Sequence, residues 1–278
     1  MNVLSIQSEV VYGTVGQRAA RFALQRLGHD VWAIPTVILS NHTGYAHVEG
    51  DTMPADFIFR LAAGLIANDW LGTCDAVLSG YLGHAAQADV VGDIVRKVKA
   101  ANPKAIYCLD PVFGDDGRAY AKPGVAEAMA RALLPLSDIV TPNAFELSSL
   151  TSTPIRDASD ALVAAKRLGR SLVIATSIPA GANRIGTLGV GREEAWFVTT
   201  PRLDHAPHGA GDLFAALFLA ARLEGRDLPT SLERATSSVF HVLERSVAAG
   251  SNEMLLIQSH EVLLNPPDTA EIHIERTG

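Results

Sequence analysis

A chain of 278 residues, 48% hydrophobic and 19% charged, has the apolar content of one large or two small globular domains and too little charge for disorder to dominate. Its formal net charge of −7 withholds the global positive field that non-specific binding to nucleic acid or an anionic membrane requires, while a local anion site stays open. So apolar a composition, with aromatics at only 6%, points to a sheet buried on both faces and packed by Ala, Val, Leu and Ile.

The opening Met1-Asn2-Val3-Leu4-Ser5-Ile6 carries no basic leader, and no window reaches the roughly 18 apolar residues of a spanning helix. A cytoplasmic protein with neither membrane nor nucleic acid as partner is expected. Cys74 and Cys108 are far apart and outside any C-x-x-C, so they read as buried or idle thiols rather than a disulfide or a zinc pair.

In chain order, short β-rich runs alternate with segments of helical spacing. Strands are expected at Val3 to Ile6, Val31 to Ile34, Asp75 to Ser79, Ala105 to Leu109, Asp138 to Val140 and Leu172 to Ala175. Helices are expected between them at about 15–27, 54–68, 86–101, 123–134, 144–150 and 158–168. Such alternation is the pattern of right-handed βαβ units: a three-layer, doubly wound, mostly parallel α/β sheet with helices on both faces. Beyond Arg184 the pattern becomes a hairpin, Ile185 to Val190 and Ala195 to Val198 around Gly191-Arg192-Glu193-Glu194. Two long helices at about 209–224 and 229–247 follow. The strict alternation of Glu271 to Glu275 suits a final edge strand. Without linker, repeat or low-complexity stretch, residues 1–278 read as a single domain.

In open α/β sheets the ligand lies beyond the carboxyl ends of the strands, so the polar and glycine-rich segments after them are the candidate site. His208-Gly209-Ala210-Gly211-Asp212 opens a helix with almost bare backbone, where N–H groups and the helix dipole favour an oxyanion and keep Asp212 able to take a proton from an alcohol. The same residues equally suit a tightly packed helix start. Asp110-Pro111-Val112-Phe113-Gly114-Asp115-Asp116-Gly117 puts acids at a strand end, as a hydrated Mg²⁺ near phosphates needs, or else forms an acidic surface turn. Glu146, in Thr141-Pro142-Asn143-Ala144-Phe145-Glu146, is either a second carboxylate at that edge or the end of a capping box begun by Asn143. The segments around Ser8 to Gly16 and Ser40 to Tyr45 offer hydroxyls and amides to a small polar ligand, or simply turn the chain. Neither a P-loop, a G-x-G-x-x-G nor an H-E-x-x-H occurs, and no Lys lies near Gly209 to Asp212. The pairs His42 with His47 and His205 with His208 lack a third ligand for zinc.

Taken in series, Val3-Leu4-Ser5-Ile6-Gln7-Ser8 with Gly13-x-Val15-Gly16, Ser40-Asn41-His42-Thr43-Gly44-Tyr45, Leu78-Ser79-Gly80-Tyr81, the Asp110 loop, the Thr141 segment and Gly209-x-Gly211-Asp212-Leu213-Phe214 resemble the ribokinase-like superfamily, and within it the pyridoxal kinases. The resemblance runs nearly end to end. It implies ATP-dependent phosphorylation of the 5′-hydroxymethyl group of pyridoxal, and of pyridoxine and pyridoxamine, in vitamin B6 salvage by a cytoplasmic homodimer. Asp212 would be the base, with the amides of Gly209, Ala210 and Gly211 as anion hole. Ser8, Thr43 and Tyr81, with Val15 alongside and Asp212 facing the alcohol, would hold the pyridine ring. Asp110, Thr141, Glu146, Thr176, Ser177 and Ala210 would serve ATP. Asp110 and Glu146 would meet Mg²⁺, and Asp115 and Thr141 a monovalent cation such as K⁺. Tyr120 falls on the loop that covers the nucleotide in this family.

Three features depart from the family pattern. Ala210 stands where many relatives have Thr, Glu9 replaces a common His and adds negative charge near the ring site, and the stretch after Ala175 is short, leaving Thr176 and Ser177 the least secure transfers. A hydroxymethylpyrimidine-type kinase of the same fold and a vitamer-binding protein without catalysis are the competing expectations.

Overall fold

The computed structural model describes residues 1–115, 117–267 and 272–277. The first half runs β1 (Asn2–Val10), α1 (Gln17–Arg26), β2 (Asp30–Leu39), β3 (Gly50–Thr52), α2 (Ala55–Ala67), β4 (Ala76–Ser79), α3 (Ala86–Ala101), β5 (Ile106–Leu109), β6 (Gly114–Asp115), β7 (Arg118–Ala119) and α4 (Val125–Ala132). The second runs β8 (Ile139–Val140), α5 (Ala144–Thr151), α6 (Ala158–Leu168), β9 (Leu172–Pro179), β10 (Arg184–Val190), β11 (Ala195–Pro201), α7 (Ala210–Leu223), α8 (Leu228–Ala248), α9 (His260–Leu264) and β12 (His273–Arg276).

One ten-stranded sheet has the order β12-β11-β10-β9-β8-β5-β4-β1-β2-β3. Its middle, from β9 to β2, is parallel throughout. Antiparallel pairs extend both ends, β3 beyond β2 and β10-β11-β12 beyond β9. The period of two along each strand divides the core. Leu4, Ile6, Val77, Tyr107 and Leu109 pack with α2 to α6 on one face, while Val3, Ala76, Leu78 and Cys108 pack with α1, α7 and α8 on the other. Leu4 and Ile6 are wholly buried, so truncating either to Ala costs about 2–5 kcal/mol, a large share of the roughly 5–15 kcal/mol that holds a typical domain together.

Helix α7 is apolar all round: Leu213 through Ala221 are buried without a break, against α1 and α8. Ala19, Ala20 and Ala23 of α1 lie in the same cluster, and their small side chains permit the close approach. Among the described residues no helix is long and apolar enough to cross a membrane.

The expected strands and helices are present, and the differences have local causes. β2 continues through Pro35 to Leu39; because β3 pairs only with Val37 to Leu39, the proline sits beside an unpaired edge where a missing N–H is tolerated. The stretch after Ala175, expected as a short connection, is strand as far as Pro179. There Thr176 and Ser177 together oppose the single residue Thr187, a β-bulge, with Ser177 at φ +58°. The short pieces β3, β6, β7 and α9 carry no periodicity that sequence reading detects. The final edge strand pairs with β11, though Glu271 lies outside the described residues. So does Asp116 of the acidic loop.

Candidate active site

Because β1, β2, β4, β5, β8 and β9 are parallel, their carboxyl ends share one edge of the sheet. The segments carrying Ser8, Thr43, Tyr81, Asp110, Thr141 and Thr176 all leave from that edge.

α7 begins there. Its N-cap is Gly209 at φ +97°, and no side chain caps it, so the N–H groups of its first turn are left to an outside acceptor. A Cβ on Gly209 would lie 2.2 Å from the carbonyl oxygen of Thr14, whereas one on Gly211 would meet nothing within 4 Å. Gly209 is therefore fixed by its neighbours, and Gly211 faces open space. Asp212, half-buried in the next position, accepts the backbone N–H of Gly16. Burial pushes its pKa up to about 6, with the Gly16 bond working the other way. A carboxylate so placed is ionised at neutral pH and basic enough to receive an alcohol proton.

Asp110 is buried at the end of β5. One oxygen accepts the Thr141 hydroxyl at 2.8 Å, while Oδ2 is buried with no hydrogen-bond partner among the described residues. Burial first, and then the neighbouring Asp212, push this acid up to about 8. Glu146 is raised well above the carboxylate range by burial and by Asp110. Of its two candidate roles the capping one is formed: Asn143 Oδ1 accepts Glu146 N–H and Glu146 Oε2 accepts Asn143 N–H, each at 2.9 Å. Its Oε1 also accepts Phe113 N–H at 3.1 Å, tying the acidic loop to α5.

Among the described residues no cluster of three or more His, Cys, Asp and Glu could hold a bare metal ion. Hydrated Mg²⁺ asks for one or two carboxylates plus phosphate oxygens, and the unpartnered Oδ2 of Asp110 fits that demand. Asp115 is exposed on β6. Tyr120, though 46% exposed, stands near this acidic wall: crowding by surrounding protein raises its pKa most, followed by the charges of Glu146, Asp212, Asp110 and Asp115. Thr176 donates its N–H to Pro142 O at 2.9 Å and so stands beside the Thr141 segment, with exposed Ser177 next to it.

On the other side of Asp212, Ser8 and Val15 are buried, Tyr81 is half-buried and Thr43 is exposed. Gly16, at φ +55°, approaches Ser8 so closely that a Cβ would sit 2.3 Å from both its carbonyl oxygen and its hydroxyl. Asp212 thus joins the hydroxyl-lined wall, through Gly16, to the acidic wall, through Asp110.

Comparison with known proteins identifies the family. The profile of the phosphomethylpyrimidine kinase family matches residues 24–256. A pyridoxal kinase PdxY of Rubrobacter xylanophilus is 44% identical across 96% of this chain and 95% of its own length. One of Corynebacterium diphtheriae is 40% identical across 96% of each. The chain belongs to the pyridoxal kinase family. Among solved structures, pyridoxal kinase from Leishmania donovani in complex with ADP and pyridoxamine superposes with a TM-score of 0.93 at 31% identity, covering 100% of this chain and 99% of that one.

Within this family frame, the departure at Glu9 has a local answer, because its carboxylate lies 3.3 Å from the guanidinium of Arg21 on α1. The negative charge expected near the ring site is paired. At Ala210 a hydroxyl is missing, but the residue begins α7 and its backbone N–H remains in the open first turn. The histidines pair otherwise than their spacing suggested: the rings of His42 and His208 meet at 4.7 Å between centroids, tilted by 56°, across separate loops. Glu253 faces that pair and was not among the candidates, since nothing near it in sequence marks it.

Proposed function

We propose that the chain is an ATP-dependent kinase that phosphorylates the 5′-hydroxymethyl group of pyridoxal, and also of pyridoxine and pyridoxamine, in vitamin B6 salvage. The observation that carries this reading is the place of Asp212, at the uncapped start of α7 between the Ser8–Gly16 wall and Asp110. Ser8, Thr43 and Tyr81, with Val15 alongside, hold the ring so that its hydroxymethyl oxygen meets Asp212. The carboxylate takes the alcohol proton as that oxygen attacks the γ-phosphorus in line; the bond from this phosphorus to the β–γ bridging oxygen breaks and ADP leaves. The N–H groups of Gly209, Ala210 and Gly211 face the charge that gathers on the transferred group.

Asp110 and Glu146 would hold Mg²⁺, which when bound neutralises the phosphate oxygens, and Asp115 with Thr141 would hold a monovalent cation such as K⁺. Thr141, Thr176 and Ser177, with the Ala210 amide, serve ATP. A cytoplasmic homodimer belongs to the same reading and rests on family membership alone. The family profile's own description favours a second reading, a kinase of hydroxymethylpyrimidine.

The test is ATP-dependent appearance of pyridoxal 5′-phosphate by absorbance, with and without Mg²⁺ and K⁺, beside the same assay on hydroxymethylpyrimidine. Faster turnover of the pyrimidine would replace the substrate assignment. Saturable binding of pyridoxal with no ADP released would remove the enzyme assignment.

A further inference from the structure

Glu253 lies in the segment between α8 and α9, and the scheme above makes no use of it. Its side chain is only 13% exposed, so its charge is costly unless donors surround it. They do. Oε2 accepts the Thr14 N–H at 2.8 Å and the Thr14 hydroxyl at 3.2 Å, and Oε1 accepts the Tyr45 hydroxyl at 2.8 Å. Thr14 belongs to the β1–α1 connection beside Val15 and Gly16, and Tyr45 to the β2–β3 connection beside Thr43. The bond to Glu253 is the main reason the Tyr45 phenol is pushed up to about 12, which keeps it a donor.

His42 completes the contact. Its Nδ1 accepts Gly44 N–H at 3.1 Å, so the neutral ring carries its proton on Nε2, which lies 3.3 Å from Glu253 Oε1 but out of line for a hydrogen bond. The ring packs between Tyr45, at 4.6 Å, and His208, at 4.7 Å. His208 immediately precedes Gly209 and the catalytic turn. Behind Glu253, Met254 N–H donates to Thr14 Oγ1 at 3.1 Å, and the Ser251 hydroxyl fixes the turn by donating to Glu253 O at 2.7 Å. One carboxylate therefore gathers both ring-side loops, and the tilted contact of His42 with His208 carries that register to the start of α7.

We propose that Glu253 is a positioning residue for the alcohol substrate: by clamping Thr14 to Tyr45 it sets the distance between the ring-binding loops and Asp212. The inference rests on the kinase reading and adds a residue to it. The carboxylate itself bonds only the two ring-side loops and reaches the start of α7 indirectly, through ring packing and Thr14, so its loss is read first in the alcohol substrate and much less in ATP.

The experiment compares the parent with Glu253→Ala, Glu253→Gln, Tyr45→Phe and the double variant Glu253→Ala/Tyr45→Phe, measuring kcat and KM for each substrate together with thermal midpoints. Glu253→Ala is expected to lower kcat/KM for pyridoxal roughly 10- to 100-fold, the scale of a misplaced reacting group, while KM for Mg-ATP stays within about twofold. Glu253→Gln keeps an acceptor for Thr14 and should recover part of the loss. The double variant should be no worse than Glu253→Ala, because the two side chains act as one contact. The exposed neighbour serves as control, Asn252→Ala matching the parent. A folded Glu253→Ala with parental kinetics overturns the proposal. So does an equal rise in both KM values, or a loss of activity that follows the thermal midpoint across all variants. A parent that makes no pyridoxal 5′-phosphate instead overturns the kinase reading, and this inference with it.

Discussion

Replacing Asp110 by Asn removes a charge that the cleft solvates poorly. The folded protein holds this acid at about 8 against an ordinary 3.8, first through burial and then through Asp212. Between those values the native chain keeps a proton that the unfolded chain has released, so the parent loses stability as pH rises, by up to 1.36 kcal/mol for each pH unit. Across the whole window the ceiling is about 6 kcal/mol, and relaxation around a cleft open to water reduces it to an expected 2–4 kcal/mol, both order-of-magnitude figures. Asn has nearly the same shape, its oxygen can still accept the Thr141 hydroxyl, and it does not titrate. Urea unfolding of parent and Asp110→Asn in EDTA, from about pH 5 to pH 8, should show the variant gaining relative stability as pH rises, while its kinase activity is lost. A stability gap that stays constant with pH, or a variant less stable at pH 8 than at pH 5 relative to the parent, would refute the reasoning.

Asp212→Asn should lower kcat by about 10²–10⁴ with little change in either KM, since a base is removed and no binding group is lost; stopped assays on both substrates check this. The parent's kcat should fall as pH drops through about 6, because the raised acid keeps its proton to higher pH and a protonated Asp212 cannot act. A rate that is flat from pH 5 to pH 7 would contradict that assignment. Gly209→Ala should destabilise the fold by more than about 1–2 kcal/mol, since its φ of +97° and the Thr14 oxygen at 2.2 Å both exclude a side chain. Gly211→Ala should melt at or above the parent's temperature yet bind ATP more weakly, because its Cβ enters the open space before the helix. Calorimetry and nucleotide titration separate these two glycines.

The layers were legible because strands such as Val3 to Ile6 and helices such as Ala86–Ala101 announce themselves by period and by apolar content. Asp110, Thr141 and Asp212 were legible for a topological reason: each follows a strand or opens a helix at the one edge where parallel strands end. Other features depend on contacts that no local pattern encodes. The bulge at Thr176 and Ser177 exists only against β10, and β6 and β7 define each other. The clamp is the extreme case, since Thr14 and Glu253 are 239 residues apart. Glu9 shows another such contact, since its pairing with Arg21 on α1 is not written in the residues around it. For Glu146 the cap and a role at the sheet edge can share the side chain only through Oε2, because Oε1 accepts both Phe113 and Gly114 N–H while Oε2 accepts Asn143 N–H.

The enclosure of α7 bears on how such a chain could be retargeted. The proposed base, Asp212, is mounted on a rod hemmed in by α1, α8 and the sheet and has no room to migrate toward a differently shaped acceptor. Selectivity then has to be rewritten in the surface turns that face it, and a library confined to their exposed positions, such as Val11, Tyr12 and Thr43, would explore new alcohols while leaving Thr14, Gly16 and the transfer chemistry in place.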